Sequence, residues 1–176
     1  MKLVILDRDG VINHDSDQYI KSPDEWKPIP GSLAAIARLN QAGYRVVVAS
    51  NQSGIGRGLF ETDTMIAIHD KMLKALAQVG GRVDAIFFCP HTNADNCDCR
   101  KPKPGMLLRA ARELGIDLAQ SWMVGDRWRD VDCGHAAGCR TIFIDYGYAE
   151  TLRQQPEFRC GSLLEAARVI LGGGRP

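Results

Sequence analysis

The stretch Lys2–Gly10 reads KLVILDRDG: an apolar run, then two carboxylates flanking an arginine, then glycine. Unbroken rather than alternating apolarity is what a strand needs when helices cover both faces of its sheet. The same signature returns at 44–51 (YRVVVASN), 85–90 (AIFFCP), 122–126 (WMVGD) and 141–146 (TIFIDY). Helical patterns lie between or after these runs. GSLAAIARLNQAG opens at Ser32 as a cap and stops at Gly43; TDTMIAIHDKMLKALAQVG runs from Thr62 to near Gly80. MLLRAARELG stops at Gly115, and SLLEAARVIL opens with Ser162 and Glu165 at capping-box spacing. Strands alternating with helices predict an α/β fold, a doubly wound parallel sheet, as one domain over residues 1–176.

In such sheets ligands bind beyond the carboxyl ends of the strands. The chemistry-bearing residues all fall there. Asp7 and Asp9 follow the first run, Ser50 and Asn51 end the second, a cysteine-rich loop follows the third, and Asp126 ends the fourth. Paired carboxylates after a buried strand are costly unless a cation neutralises them, and hard oxygen ligands favour Mg²⁺. Asp7, Asp9 and Asp126 are therefore the candidate Mg²⁺ ligands. A solvated turn at DRDG and a helix cap at Asp126 are the plainer alternatives. Asp130, one turn further on, reads as outer support or surface. In SNQSGIGRG (50–58), Ser50 and the amides of Asn51, Gln52 and Ser53 offer a phosphate cradle. Leu59 stands where a dinucleotide fingerprint needs glycine.

Residues 89–105 read CPHTNADNCDCRKPKPG. Cys89-x-His91 and Cys97-x-Cys99 form two chelating pairs separated by a turn. Three thiolates and an imidazole suit tetrahedral Zn²⁺ in a closed, structural site. A polar loop with no core of its own would be ordered by that metal, and would carry Arg100 and Lys101 over the sheet edge. Lysine suits a phosphate oxygen, and arginine a second anionic group. Cys133, Cys139 and Cys160 lack ligand spacing and read as packing residues, as do His69 and His135. Whether His14 touches a ligand is not legible from the residues.

The remaining composition excludes classes. A formal net charge of +1 gives no electrostatic case for nucleic acid or a membrane surface. No run approaches the ~20 apolar residues of a membrane span, and the N-terminus lacks a signal-peptide pattern. A cytoplasmic protein is expected, and a monomer.

Taken in order, DRDG, Ser50, Lys101 and GDRWRD resemble the four motifs of the haloacid dehalogenase superfamily of phosphotransferases, over nearly the whole chain. The CxH…CDCRKPKPG loop and NQSGIGRG are similar to the branch that acts on the 7-phosphate of D-glycero-D-manno-heptose 1,7-bisphosphate in ADP-/GDP-heptose (lipopolysaccharide) biosynthesis. The resemblance implies a Rossmann-like core without a large cap domain, the loop 89–99 being a zinc-binding insertion. It implies Asp7 as nucleophile and Asp9 as acid and base. The Mg²⁺ would be held by Asp7, the Asp9 backbone carbonyl and Asp126. Phosphoryl oxygens would lie on Ser50 and Lys101, and the rest of the substrate on Arg100, Arg127 and the segment Asp15, Ser16, Asp17 and Gln18. Ser50 stands where many relatives carry threonine. The nearest rival within the fold is a histidinol-phosphate phosphatase, whose cationic substrate calls for carboxylates rather than arginines. A polynucleotide 3′-phosphatase lacks its basic stripe here. A non-catalytic zinc-stabilised module would leave the carboxylates without purpose.

Overall fold

Leu3–Leu6 forms strand β1, with every residue buried. The structure, a computed structural model, describes residues 2–175. The chain continues through α1 (Ser32–Gln41), β2 (Arg45–Asn51), the short α2 (Ser53–Gly56), α3 (Thr62–Gln78), β3 (Ala85–Cys89) and α4 (Gly105–Leu114). It then forms β4 (Trp122–Gly125), α5 (Trp128–Ala137), β5 (Arg140–Ile144), β6 (Phe158–Cys160) and α6 (Leu163–Leu171). One six-stranded sheet has the order β3-β2-β1-β4-β5-β6, and every pairing is parallel.

The unbroken apolar runs have their expected cause. Along β1, Val4 and Leu6 join a core with α1, α3 and α6, while Leu3 and Ile5 join a second core with α4 and α5. β2 divides likewise, with Val46 and Val48 on one face and Val47 and Ala49 on the other. The first half of the chain winds outward from β1 to β2 and β3. The second half returns to the other side of β1 with β4. The direction reverses between β1 and β4, where an open sheet forms its crevice. Among the described residues no helix is long and apolar enough to cross a membrane.

Two details depart from the sequence expectation. Ser32 does not cap α1: Gly31 holds that position at φ 87°, and the buried Ser32 hydroxyl donates to the Val11 carbonyl at 2.7 Å. Only glycine adopts that backbone cheaply. The sixth strand was not expected. Phe158–Cys160 is short and carries an exposed arginine, and it becomes a strand because β5 supplies its ladder.

Candidate active site

Asp7 leaves β1, Asp126 leaves β4, and Asp130 sits in the first turn of α5, so three carboxylates meet at the crevice. Carboxylate oxygens from all three lie within 4.8 Å of one another. Gly10 permits this approach: it takes φ 84°, and a side chain there would collide with the Asp126 carboxylate. Gly125 likewise leaves room for Asp130. Asp130 is buried, contrary to a surface reading, and its carboxylate accepts from the Arg127 amide at 3.2 Å, closing the N-terminus of α5. The helix-cap alternative for Asp126 fails, because Arg127 occupies the cap position.

Lys101 answers this negative charge. Its buried Nζ lies 2.7 Å from Asp130 Oδ1 and 3.1 Å from Asp7 Oδ1, and donates to the Ala49 carbonyl at 2.8 Å. Burial works against the ammonium, but Asp130 and Asp7 raise its pKa. One cation does not suffice. Burial, then Asp130, push Asp7 up to about 7 against the pull of Lys101. Burial, Asp7 and Asp130 push Asp126 up to about 9. Asp126 Oδ1 is buried with no hydrogen-bond partner among the described residues, while Oδ2 accepts from the Tyr148 hydroxyl at 3.2 Å. Crowded carboxylates with an orphaned, inward oxygen form a donor set that fits a hard divalent cation such as Mg²⁺.

The Asp9 carboxylate is not part of that cluster. Its Oδ1 accepts from Arg8 Nε at 2.8 Å and Asn13 Nδ2 at 2.9 Å, and its Oδ2 from Gln52 Nε2 at 3.3 Å. Gln52 also donates to Ser50 Oγ at 2.7 Å. Both Ser50 and Gln52 are buried behind the cleft wall rather than lining it. Arg8, fully buried, reaches His69 Nε2 at 3.1 Å. Burial and Arg8 hold His69 down to about 4, so the ring is neutral and accepts from the guanidinium. His69 is therefore structural, as its helical setting suggested.

The loop after β3 gathers Cys89, His91, Cys97 and Cys99 with ligand atoms within 4.8 Å of one another. Cys89 Sγ lies 3.5 Å from both His91 Nδ1 and Cys97 Sγ, and 2.8 Å from Cys99 Sγ. The longer edges approach the roughly 3.5–3.8 Å spacing that Zn–N and Zn–S bonds impose on a tetrahedron. All six cysteines are unpaired, and the donor set fits Zn²⁺. The loop is tied to the sheet edge. Asn51 brackets the Lys101 backbone, accepting from its amide at 3.0 Å and donating to its carbonyl at 3.1 Å. Arg100 donates to Asn93 Oδ1 at 2.7 Å and to the His91 carbonyl at 3.3 Å. Lys101 precedes a cis peptide to Pro102.

Over these groups opens a cleft of about 370 Å³, lined by Asp7, Asp9, Asp126, Asp130 and Lys101 together with Asp15, Ser16, Asn51, Ser53, Arg100 and Arg127. Asp17 and Gln18, expected beside them, do not line it; Gln18 faces a neighbouring depression with His14. Arg127 is clasped: Asp15 lies at 3.0 Å, Glu150 at 3.5 Å, Asp126 at 3.9 Å, and the Tyr148 ring stacks on its guanidinium at 4.0 Å. Tyr19, Arg57, Asn93 and Arg129 also line the cleft and were not singled out from the sequence. Arg57 was legible only as part of a glycine-rich loop, and Arg129 as one charge in a short charged run; neither pattern shows which way a side chain faces.

The sheet order, the four strand-end motifs and the cleft define the class, a haloacid dehalogenase-like hydrolase; a family model of that description (HAD-hydrolase-like) matches residues 98–166. The chain is 56% identical over 96% of its length to the D-glycero-beta-D-manno-heptose-1,7-bisphosphate 7-phosphatase of Bordetella bronchiseptica, covering 92% of that protein. It is 51% identical over 82% of each chain to the protein so named in Pseudomonas aeruginosa. The crystal structure of D,D-heptose 1,7-bisphosphate phosphatase from B. bronchiseptica, complexed with magnesium and phosphate, superposes with a TM-score of 0.92 at 51% identity, covering 98% of this chain and 99% of that one. The enzyme of the same name from Burkholderia thailandensis gives 0.74 at 45% identity, over 97% and 99%. The chain belongs to the heptose-1,7-bisphosphate 7-phosphatase family of haloacid dehalogenase-like hydrolases.

Proposed function

We propose that the protein, as a single catalytic domain, hydrolyses the 7-phosphate of D-glycero-β-D-manno-heptose 1,7-bisphosphate. The observation that carries this is the Asp7 carboxylate at the reversal point of the sheet, 3.1 Å from a buried lysine and crowded by two further carboxylates. The relatives named for that substrate, and for its β anomer, support the choice of ester.

In this reading an Asp7 oxygen attacks the 7-phosphorus in line, and the bond from phosphorus to the sugar oxygen breaks. Asp9 gives its proton to that departing oxygen. Water then attacks the aspartyl-phosphate, Asp9 takes up the water's proton, and phosphate leaves with Asp7 restored. Lys101 holds phosphoryl oxygens, and Arg8, Asn13 and Gln52 hold the Asp9 carboxylate in place, the Gln52 amide being fixed in turn by Ser50 Oγ. Asn51 and Ser53, which line the cleft, would face the phosphate, and Asp15 and Ser16, which also line it, would face the sugar. Asp7, Asp126 and the Asp9 carbonyl would hold Mg²⁺, with Asp130 beside them. When bound, the ion screens carboxylate from phosphate and stabilises the transferring group. Cys89, His91, Cys97 and Cys99 would hold a structural Zn²⁺. Unpaired cysteines fit a reducing cytoplasm, where the product would enter activated-heptose synthesis as a lipopolysaccharide precursor. The protein acts as a monomer in this reading.

The test is phosphate release with Mg²⁺ from both anomers of the heptose bisphosphate and from histidinol phosphate. A preference for the β-bisphosphate of a hundredfold or more in kcat/KM, about 2.7 kcal/mol, is expected. Preference for histidinol phosphate would overturn the substrate and leave the mechanism standing.

A further inference from the structure

The four arginines of the cleft differ in how their charge is met. Arg127 is surrounded by Asp15, Glu150 and Asp126. Among the described residues no carboxylate stands within ion-pairing distance of Arg57, Arg100 or Arg129, although all three line the same cleft as Asp7. Arg57 caps the C-terminus of α2, Arg100 rides on the cysteine loop, and Arg129 belongs to the first turn of α5. Among the described residues Arg100 donates only to neutral oxygens, Asn93 Oδ1 and the His91 carbonyl. The three guanidiniums thus bring unmatched positive charge to one cleft of about 370 Å³.

Three elements brought together to concentrate unmatched like charge is costly in the free protein, and an incoming anion removes that cost. The planar forks of guanidinium suit phosphate oxygens two at a time. The floor of the cleft is different in character, since there one lysine stands among an excess of carboxylates.

We propose that Arg57, Arg100 and Arg129 form a wall that grips the substrate's second, non-reacting phosphate, and that Arg127 is a clasp for the Asp15 segment rather than a phosphate ligand. The proposal rests on the bisphosphate reading above and assigns the residues that set specificity within it. Arg57 and Arg129 thereby join Arg100 as groups that select a bisphosphate over a monophosphate.

The experiment compares kcat/KM on heptose 1,7-bisphosphate with that on heptose 7-phosphate for the wild type, Arg57→Gln, Arg129→Gln and Arg129→Lys, with folding checked by thermal melts. The ratio of the two values should fall tenfold or more in each glutamine variant, about 1.4 kcal/mol of lost discrimination. Arg129→Lys should recover part of it. Equal losses on both esters, or an unchanged ratio, would overturn the wall. Arg127→Gln should lower both values together; a selective loss on the bisphosphate there would return the second phosphate to Arg127. If the wild type hydrolyses neither ester, the substrate reading fails by itself. The wall is then decided by calorimetry with fructose 1,6-bisphosphate against fructose 6-phosphate. Tighter binding of the bisphosphate that disappears in Arg129→Gln supports the wall, and equal binding of the two ends it.

Discussion

The molecule holds two clusters of metal-ligand type that are built in opposite ways. Cys89, His91, Cys97 and Cys99 lie close together in the chain, offer four soft donors, and would close a tetrahedron completely. Asp7, Asp126 and Asp130 come from three elements, offer hard oxygens, and leave one oxygen of Asp126 unmatched. A closed site fixes backbone; an open, crowded one stores electrostatic demand that a cation and a phosphate can meet. Lys101 joins the two. Its backbone continues the cysteine loop, and its ammonium enters the carboxylate cluster.

Removing the nucleophile separates the clusters most sharply. Asp7→Asn should lower phosphate release by roughly a thousandfold or more, the scale seen when a covalent nucleophile is lost, while zinc content measured on the purified protein stays the same. Loss of zinc in that variant would show that the clusters are not independent.

Lys101→Met strikes the junction. It leaves Asp7 and Asp130 buried without their ammonium, and breaking one partner of a buried pair costs about 3–5 kcal/mol. Denaturant unfolding should register that loss, and added Mg²⁺ should recover more stability in the variant than in the wild type. Equal recovery in both would mean that lysine and metal do not share the same charge.

Cys99→Ser tests the other cluster. Metal analysis should find zinc reduced from about one per chain to a small fraction, since closed sites need all four ligands. Activity should fall chiefly in KM, because the loop positions Arg100 and Lys101. A variant that loses zinc and keeps its KM would break the link between sulfur and substrate.

The pH response should be milder. Asp7 and Asp126 are raised to about 7 and about 9, so between about pH 4 and 7 the folded chain holds protons that the unfolded chain has released. Stability in Mg²⁺-free buffer therefore falls as pH rises through that window, and saturating Mg²⁺ should flatten the slope. Thermal melts across the range decide it; a rise in stability with pH in the absence of Mg²⁺ would contradict the crowding. Smallest of all, Tyr148→Phe removes the donor to Asp126 Oδ2 and should weaken Mg²⁺ binding severalfold by calorimetry, a modest share of what outer partners of metal ligands contribute.

How much of this was legible follows from how local each signal is. The strands announced themselves because both faces of β1 and β2 are covered, which makes apolarity continuous. β6 did not, because three residues with an exposed arginine carry no such run. The cysteine ligands were readable because their spacing is a property of one short segment. Asp130 reads from the sequence as outer support or surface, and only the surface alternative fails; nothing in its neighbourhood in sequence announces its partner Lys101, twenty-nine positions earlier. Tyr148 was missed for the same reason, and Arg8 because a charged residue between two aspartates does not look buried, yet it is.

The sequence by itself determined the sheet class, the edge at which chemistry would gather, and the donor types available to each metal. These follow from patterns a few residues long: hydrophobic runs, chelate spacing and carboxylates at strand ends. Only the tertiary structure decided which charges are neutralised. Arg127 and Arg129 are two positions apart in sequence, yet one is enclosed by carboxylates and the other meets none among the described residues. Electrostatic balance depends on distance through space, and chain order does not contain that distance.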